Sequence, residues 1–330
     1  MPTPDFRLTL DGRDLSPSVR PRLVQLTLTE KRDADADQLD ITLADTDGRL
    51  AIPPAGAVLT LALGWRETGL VDKGSFRVDE VEHSGTPDQL VIRARAADFT
   101  AAGRVRRVDA VTGQTLGQII TSIAGRLGLA AQVAPALAGV AVPVLDQAGL
   151  SDLALLKLLG RRHDAVATIK AGRLLFSPIG AGTTASGMVL PGASITRADG
   201  DQHSWRRAAR DTYSGVTAYW HDPDAAERKG VTAGSTGEGD GHAKRLKRTY
   251  GNEADARAAA EAEHGRQQRG AATMGLTLAL GRPDLYPEQR LTLSGWGKPQ
   301  IDGATWLVTE CRHDLNSQGF TTQLGLELGI

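Results

Sequence analysis

The sequence is poor in the residues that most readily announce chemistry. Cysteine occurs once, at Cys311, which excludes an internal disulfide and any zinc cluster built on cysteines. Aromatic residues make up only 4% of the chain while Ala and Gly are abundant, so the expected cores are thin and built of small aliphatic side chains. An excess of either charge is missing too, because 38 basic and 39 acidic residues leave a net charge of −1. That balance offers no broad attraction to nucleic acid or to an anionic membrane, and no nucleic-acid sequence recognition is expected. No apolar run reaches the roughly 18 residues that a membrane-crossing helix needs, so no membrane insertion is expected. Met1-Pro-Thr-Pro-Asp-Phe6 lacks the basic and apolar regions of a signal peptide, and folding is expected in a cytoplasm.

What is present is globular. The 330 residues are enough for two or three domains, and 41% hydrophobic with 23% charged residues lies in the folded range. The most informative feature is a repeat. Phe76, Val78, Glu80, Val81 and His83 are echoed 230 positions later by Trp306, Val308, Glu310, Cys311 and His313. Leu59-Thr-Leu61 before Gly64-Trp65 is matched by Leu291-Thr-Leu293 before Gly295-Trp296, with offsets that differ by one residue. Alternating runs follow each copy: Leu90, Ile92, Ala94 and Ala96 in one, Phe320, Thr322, Leu324 and Leu326 in the other. A β unit repeated at both ends of a chain suggests two related β domains flanking something different. Cys311 stands where the first copy has Val81, which makes it a small buried apolar residue.

Between the copies the periodicity changes. Residues 6–99 alternate as six or seven short strands, with a hairpin signal at Asp11-Gly12. Thr115 followed by Leu116, Ile119, Ile120, Ile123 and Leu127 has helical spacing, and Gly128 supplies the stop. Ser151 caps a second helix rich in leucine, and a hairpin follows around Ala171-Gly172. Residues 204–222 read as one strand carrying Tyr213, Val216, Ala218 and Trp220, and the glycine-rich 232–242 reads as a flexible loop. Asn252 opens a long Ala/Glu/Arg helix from Glu253 to about Arg269, and Met274 to Leu280 alternate back into strand.

The candidate chemical sites each have a plainer explanation. Asp33, Asp35 and Asp37 resemble the start of a calcium loop, but Gln38 and Ala44 stand where the glycine and the bidentate acid belong. His163-Asp164, His221-Asp222 and His313-Asp314 are sequence neighbours that point apart and need a third group. Ser186 lacks the nucleophile-elbow frame, and Gly237-Glu-Gly-Asp-Gly241 lacks the Lys-Ser/Thr of a phosphate loop. Glu80 and Glu310 could form an acid–base pair, as in sugar cleavage, yet their recurrence in a repeated strand fits a structural role better. Three basic clusters (Arg104 to Arg107, Arg206 to Arg210 and Lys244 to Arg248) read as solvated faces. No catalytic, cofactor or metal site is expected.

The order of parts resembles the phage late control D family, the hub proteins of contractile phage tails, whose architecture also forms the N-terminal part of VgrG spike proteins. The resemblance covers nearly the whole chain. It rests most on Leu285-Tyr-Pro-Glu, Leu291-Thr-Leu-Ser-Gly-Trp296, Asp302-Gly303, Trp306-Leu-Val, His313 and Gly319-Phe-Thr-Thr, with Leu39-Asp-Ile-Thr-Leu-Ala-Asp-Thr-Asp-Gly-Arg-Leu50 in the first unit. It implies a mainly β fold with an α/β insertion: two related tail-tube-like β-barrels, residues 1–100 and 201–330, flanking a middle α/β domain, residues 101–200. It further implies a homotrimer in a tail or baseplate particle, in which doubled barrels match a six-fold tube above a three-fold spike. The implied partners are the tail tube protein, the spike protein and other baseplate proteins, with the tape-measure protein also a candidate. The rival reading is a peptidoglycan-degrading tail-tip enzyme using Glu80 or Glu310; a receptor-binding module with Tyr213, Tyr219 and Trp220 is a third.

Overall fold

The structure is a computed structural model, and it describes residues 2–32, 36–96, 103, 105–170, 172–207, 213–235 and 243–329. Asp33, Asp35, Ala171, Arg104, Arg210 and the Gly237–Gly241 run lie outside the described residues.

The N-terminal unit consists of β1 (Pro4–Leu10), β2 (Arg13–Asp14), the short helix α1 (Ser16–Val19), β3 (Leu23–Lys31), β4 (Gln38–Ala44), β5 (Val58–Trp65), β6 (Gly69–Ser84) and β7 (Gln89–Ala96). Alternation does the sorting here. In β4 the residues Leu39, Ile41 and Leu43 turn inward while their neighbours stay half-exposed, and β5 does the same with Leu59, Leu61 and Leu63. Burying each such leucine contributes about 1.5–3 kcal/mol, so the pattern fixes which face becomes core. Asp11 and Gly12 both have positive φ and close the β1–β2 hairpin, the backbone that a primed turn requires.

The middle domain follows with β8 (Ala110–Thr115), α2 (Leu116–Leu127), β9 (Ala130–Val133), α3 (Pro135–Ala138), β10 (Ala141–Asp146), α4 (Asp152–Arg162), β11 (Ala165–Lys170) and β12 (Arg173–Pro178). Its helix ends obey local rules. The Thr115 hydroxyl accepts from the Gln118 N–H while the Gln118 side chain accepts from the Thr115 N–H, and Gly128 ends α2 at φ 73°. Ser151 caps α4 by accepting from the Ala154 N–H. Ile119, Ile120, Ile123, Leu156, Leu159, Leu174 and Phe176 form its separate core.

The C-terminal part comprises β13 (Ala193–Thr196), β14 (Gly200–Arg207), β15 (Gly215–Asp222), β16 (Glu227–Gly234), β17 (Lys244–Tyr250), α5 (Glu253–Gly270), β18 (Ala272–Leu278), β19 (Arg290–Ser294), α6 (Pro299–Asp302), β20 (Thr305–Asn316) and β21 (Gly319–Leu328). The single strand expected over 204–222 is two strands in two different sheets. β14 pairs with β18, whereas β15 pairs with β16 and β17 in a three-stranded sheet of its own. That small sheet packs Val216, Ala218 and Val231 against Ala256 and Ala260 of α5. Residues 232–234, expected in a loop, complete β16. β13 precedes residue 201 yet pairs, in parallel, with β19 of the second unit.

Strand register recurs between the two ends. Phe76 pairs with Ala96, Val81 with Ile92 and His83 with Leu90; Trp306 pairs with Leu328, Cys311 with Leu324 and His313 with Thr322. A bulge falls after Val78 in one hairpin and after Val308 in the other. On the other side Leu59 faces Phe76 and Leu291 faces Trp306. Gly56 and Glu288 donate to the carbonyls of Val78 and Val308 respectively, both at 2.8 Å. β3 on β4 and β14 on β18 also correspond, with Leu26 opposite Ile41 and His203 opposite Leu276. A register shift lies between Leu23 and Gln25 in one and between Gly200 and Gln202 in the other. The units differ at one border, where β1 runs antiparallel to β5 while β13 runs parallel to β19.

The two units share a sheet. Residues Glu310–Asn316 of β20 pair antiparallel with β3, giving the row β14-β18-β21-β20-β3-β4-β7-β6 across both. Each unit folds around its own core, and Leu315 and Phe320 of the second reach into the first.

Candidate functional site

The repeat residues divide by burial. Phe76 and Val78 are buried in the first core, Trp306 and Val308 in the second, and the Trp306 indole donates to the Ile301 carbonyl at 3.0 Å. Glu80 and Glu310 sit on the polar face just past the bulges, where Glu80 accepts from Arg93 at 2.8 Å and Glu310 lies 3.7 Å from Lys31. Each glutamate therefore meets a cation. His83 is exposed beside Asp45, at 3.3 Å, while His313 is fully buried.

His313 belongs to a polar node that sequence reasoning missed. Its Nδ1 lies 2.9 Å from the Thr322 hydroxyl and its Nε2 3.3 Å from the Glu30 carboxylate. Lys73 of β6 donates to Glu30 at 2.7 Å, and Lys170 of the middle domain approaches Glu30 at 3.6 Å and Asp37 at 2.6 Å. Burial opposes charge on Glu30, but the His313 hydrogen bond and the Lys73 and Lys170 charges outweigh it and hold the carboxyl far below its usual range. Burial pushes His313 down, with the Lys73 charge acting in the same sense and Glu30 against it. For Lys170, the charges of Asp37 and Glu30 overcome burial and raise the ammonium. One signal for the node lay in the sequence: Glu30 occupies the inward position of β3 after Leu26 and Leu28.

A second node ties α5 to Asp164 and to β21. Arg269 grips both oxygens of Asp164 at 2.6 and 2.7 Å and donates to Glu327 at 3.0 Å. Arg32 reaches Glu327 at 2.5 Å and Glu288 at 3.3 Å, and Glu288 accepts from the Gly180 N–H. Burial raises Glu288 to about 6 despite Arg32. Charges at domain junctions here serve as fasteners.

In the other His-Asp pairs the acidic member finds a structural partner. Burial takes His163 down to about 4, while its neighbour Asp164 is held by Arg269. Lys229 donates to Asp222 at 2.6 Å, and the Ser186 hydroxyl meets Thr184 at 2.8 Å. Arg228 lies 3.9 Å over the Tyr219 ring and Lys229 5.9 Å over Trp220. Among the described residues no group of His, Cys, Asp or Glu has the geometry of a metal site, and no helix is long and apolar enough to cross a membrane. Burial drives the Cys311 thiol well above its usual range, making it an inert core residue.

Two register-matched β units around an α/β insertion are the fold of phage tail proteins. A tail protein from Neisseria meningitidis MC58 superposes with a TM-score of 0.72 at 14% identity, covering 98% of this chain and 96% of that one. The 43 kDa tail protein of prophage MuSo2 from Shewanella oneidensis does so at 0.68, with the same identity and coverage. An E. coli component of the type VI secretion system, described as structurally similar to the T4 tail proteins gp27 and gp5, matches at 0.58 over 97% of this chain and 76% of its own. Sequence narrows the class further. Residues 20–319 match the phage tail baseplate hub (GPD) model, and the probable baseplate hub proteins of Escherichia phages P2 and 186 are each 40% identical over 99% of this chain. The chain belongs to the phage tail baseplate hub family and is a structural component of the virion tail.

Proposed function

We propose that this hub is a homotrimeric, non-enzymatic adaptor that joins a six-fold tail tube to a three-fold spike. The observation that carries this reading is the duplicated strand register, bulges included, because two like units in each of three chains present six to a tube. In this layout residues 1–100 form the first tube-like unit and 101–200 the middle domain. Residues 201–330 form the second unit, with β13 contributed from before residue 201 and the β15–β17/α5 block as an insertion. The partners of the adaptor are the tail tube protein above, the spike protein below and neighbouring baseplate proteins; the tape-measure protein is a further candidate.

Mass photometry of the purified chain, alone and with its spike protein, tests the assembly. A trimer, formed directly or on the spike, is the expected result; a species that stays monomeric in both overturns the reading. Zymography on cell-wall substrate tests the non-enzymatic part. No clearing is expected, whereas clearing that vanishes in Glu80→Gln or Glu310→Gln would make the chain a peptidoglycan hydrolase.

A further inference from the structure

A groove lies where the middle domain meets the α5 insertion. Two helices and two strands line it. The helices α4 and α5 are clamped to each other, Arg162 on Asp255 at 2.5 Å and the Arg266 guanidinium on the Arg161 carbonyl. Val144, Leu145 and Asp146 of β10 reach the groove, and so do Leu246, Lys247 and Arg248 of β17. Successive side chains of a strand point to opposite faces, so a groove met by three in a row lies along a strand edge. Both edges are open: among the described residues β10 pairs only with β8, and β17 only with β15. The cavity measures about 620 Å³, room for a few residues of chain rather than a folded domain.

Two properties of the groove serve nothing inside the chain. One is apolar surface left in water. Val144 is 64% exposed and Leu158 37%, beside the buried Leu145 and Leu159. The other is a set of cations presented outward by a break in a strand. Thr217 pairs with Arg245 and Tyr219 with Thr249, so three residues of β17 stand where β15 has only Ala218. Of these three, Leu246 packs against the core of the insertion, while Lys247 and Arg248 are exposed. Bulges of this kind re-aim side chains. No carboxylate of the described residues pairs with Lys247, Arg248 or the nearby Arg161. The acids at the groove are already engaged, Glu263 by Lys244 and Arg266, and Asp146 by the Ala148 N–H. Five cations and two acids line this groove, on a chain whose net charge is only −1.

We propose that the groove binds a short acidic segment, carrying large aliphatic side chains, of another baseplate protein. Its carboxylates pair with Arg161, Lys247 and Arg248, and its aliphatic side chains cover Val144 and Leu158. Nucleic acid would answer the cations but leave both aliphatic residues in water, so the mixed lining favours a peptide. The inference deepens the adaptor reading: it rests on neighbouring baseplate proteins being partners, and it does not depend on the trimer.

Photo-cross-linking in assembled tails tests it. Val144→p-benzoylphenylalanine, in an otherwise unaltered hub, should on irradiation link to one other tail protein. The linked segment, sequenced by mass spectrometry, should be acidic with Leu, Ile, Val or Met among its residues. A synthetic copy of that segment is then titrated against the purified hub by fluorescence polarisation. Lys247→Glu with Arg248→Glu should weaken its binding by about tenfold or more, and Arg245→Glu, a charge of β17 outside the groove, should not. Arg161→Glu, on α4 rather than the bulge, gives the same readout should the double variant fail to fold. No cross-link, a link only to a second hub chain, or a linked segment without acids overturns the proposal. So does a segment whose binding ignores both sets of reversals, or a duplex DNA oligonucleotide that binds the groove as tightly. A hub that is trimeric by mass photometry yet gives no such link loses the groove alone and keeps the adaptor reading.

Discussion

Burying Lys73 takes an ammonium out of water, and the Glu30 carboxylate 2.7 Å away is what offsets that cost. Lys73→Met would leave Glu30 buried beside a neutral side chain, and should lower stability by about 3 kcal/mol in urea unfolding. Glu80→Gln removes a partner from an exposed pair and should cost less than about 1 kcal/mol. If the two cost the same, the node is not the fastener described here. Acid should weaken the fold through the same residues. His313 and His163 are held below 6.5, so the unfolded chain binds their protons first, and stability falls as pH drops below about 6.5. Glu30, depressed from 4.5, extends the loss below that pH. Glu288, raised to about 6, acts in the opposite sense, but only between about 4.5 and 6. The melting temperature should therefore be lower at pH 5 than at pH 7.5, and the difference should shrink in His313→Asn. A melting temperature that rises on acidification would contradict these assignments.

At the scale of elements, Gly281 holds the joint between the β units. Its carbonyl accepts the Trp65 indole N–H at 2.9 Å, and a Cβ there would run into the Phe320 ring, itself 5.3 Å from the Trp65 ring. Gly281→Ala should push Phe320 out of the first core and cost about 1–3 kcal/mol, visible as a lower unfolding midpoint. An unchanged midpoint would mean that the joint gives way freely. Elements defined by their own residues were legible in the sequence: the helix starts at Thr115, Ser151 and Asn252, the stop at Gly128, and the alternation in β4, β5 and β18. Elements defined by distant partners were not. The stretch 204–222 alternates like one strand, yet its halves pair with β18 and with β16, and nothing local separates those fates. The polar node was hidden for the same reason, since Glu30 meets Lys73, Lys170 and His313 only after three parts of the chain have folded together. The inward place of Glu30 in β3 marked it as unusual without saying what it would meet.

For the whole molecule, the row of eight strands explains why two similar units sit in one chain at all. A unit with a bare edge on each side is an aggregation hazard, and the β3–β20 junction removes two of those edges within the chain. β14, at the far end of the row, stays unpaired on its outer side by any described strand. Covalent doubling also frees the two units to diverge: one keeps an antiparallel β1 at its border, while the other takes the parallel β13 and the α5 insertion. In a trimeric ring the units should therefore alternate, alike in the shared strands and unlike at their rims. Electron cryomicroscopy of the purified hub, on its spike if the hub alone does not assemble, looks down that axis directly. A three-fold ring of six β units, two from each chain, is the expected result. A monomer or a ring of another order would contradict the trimeric hub.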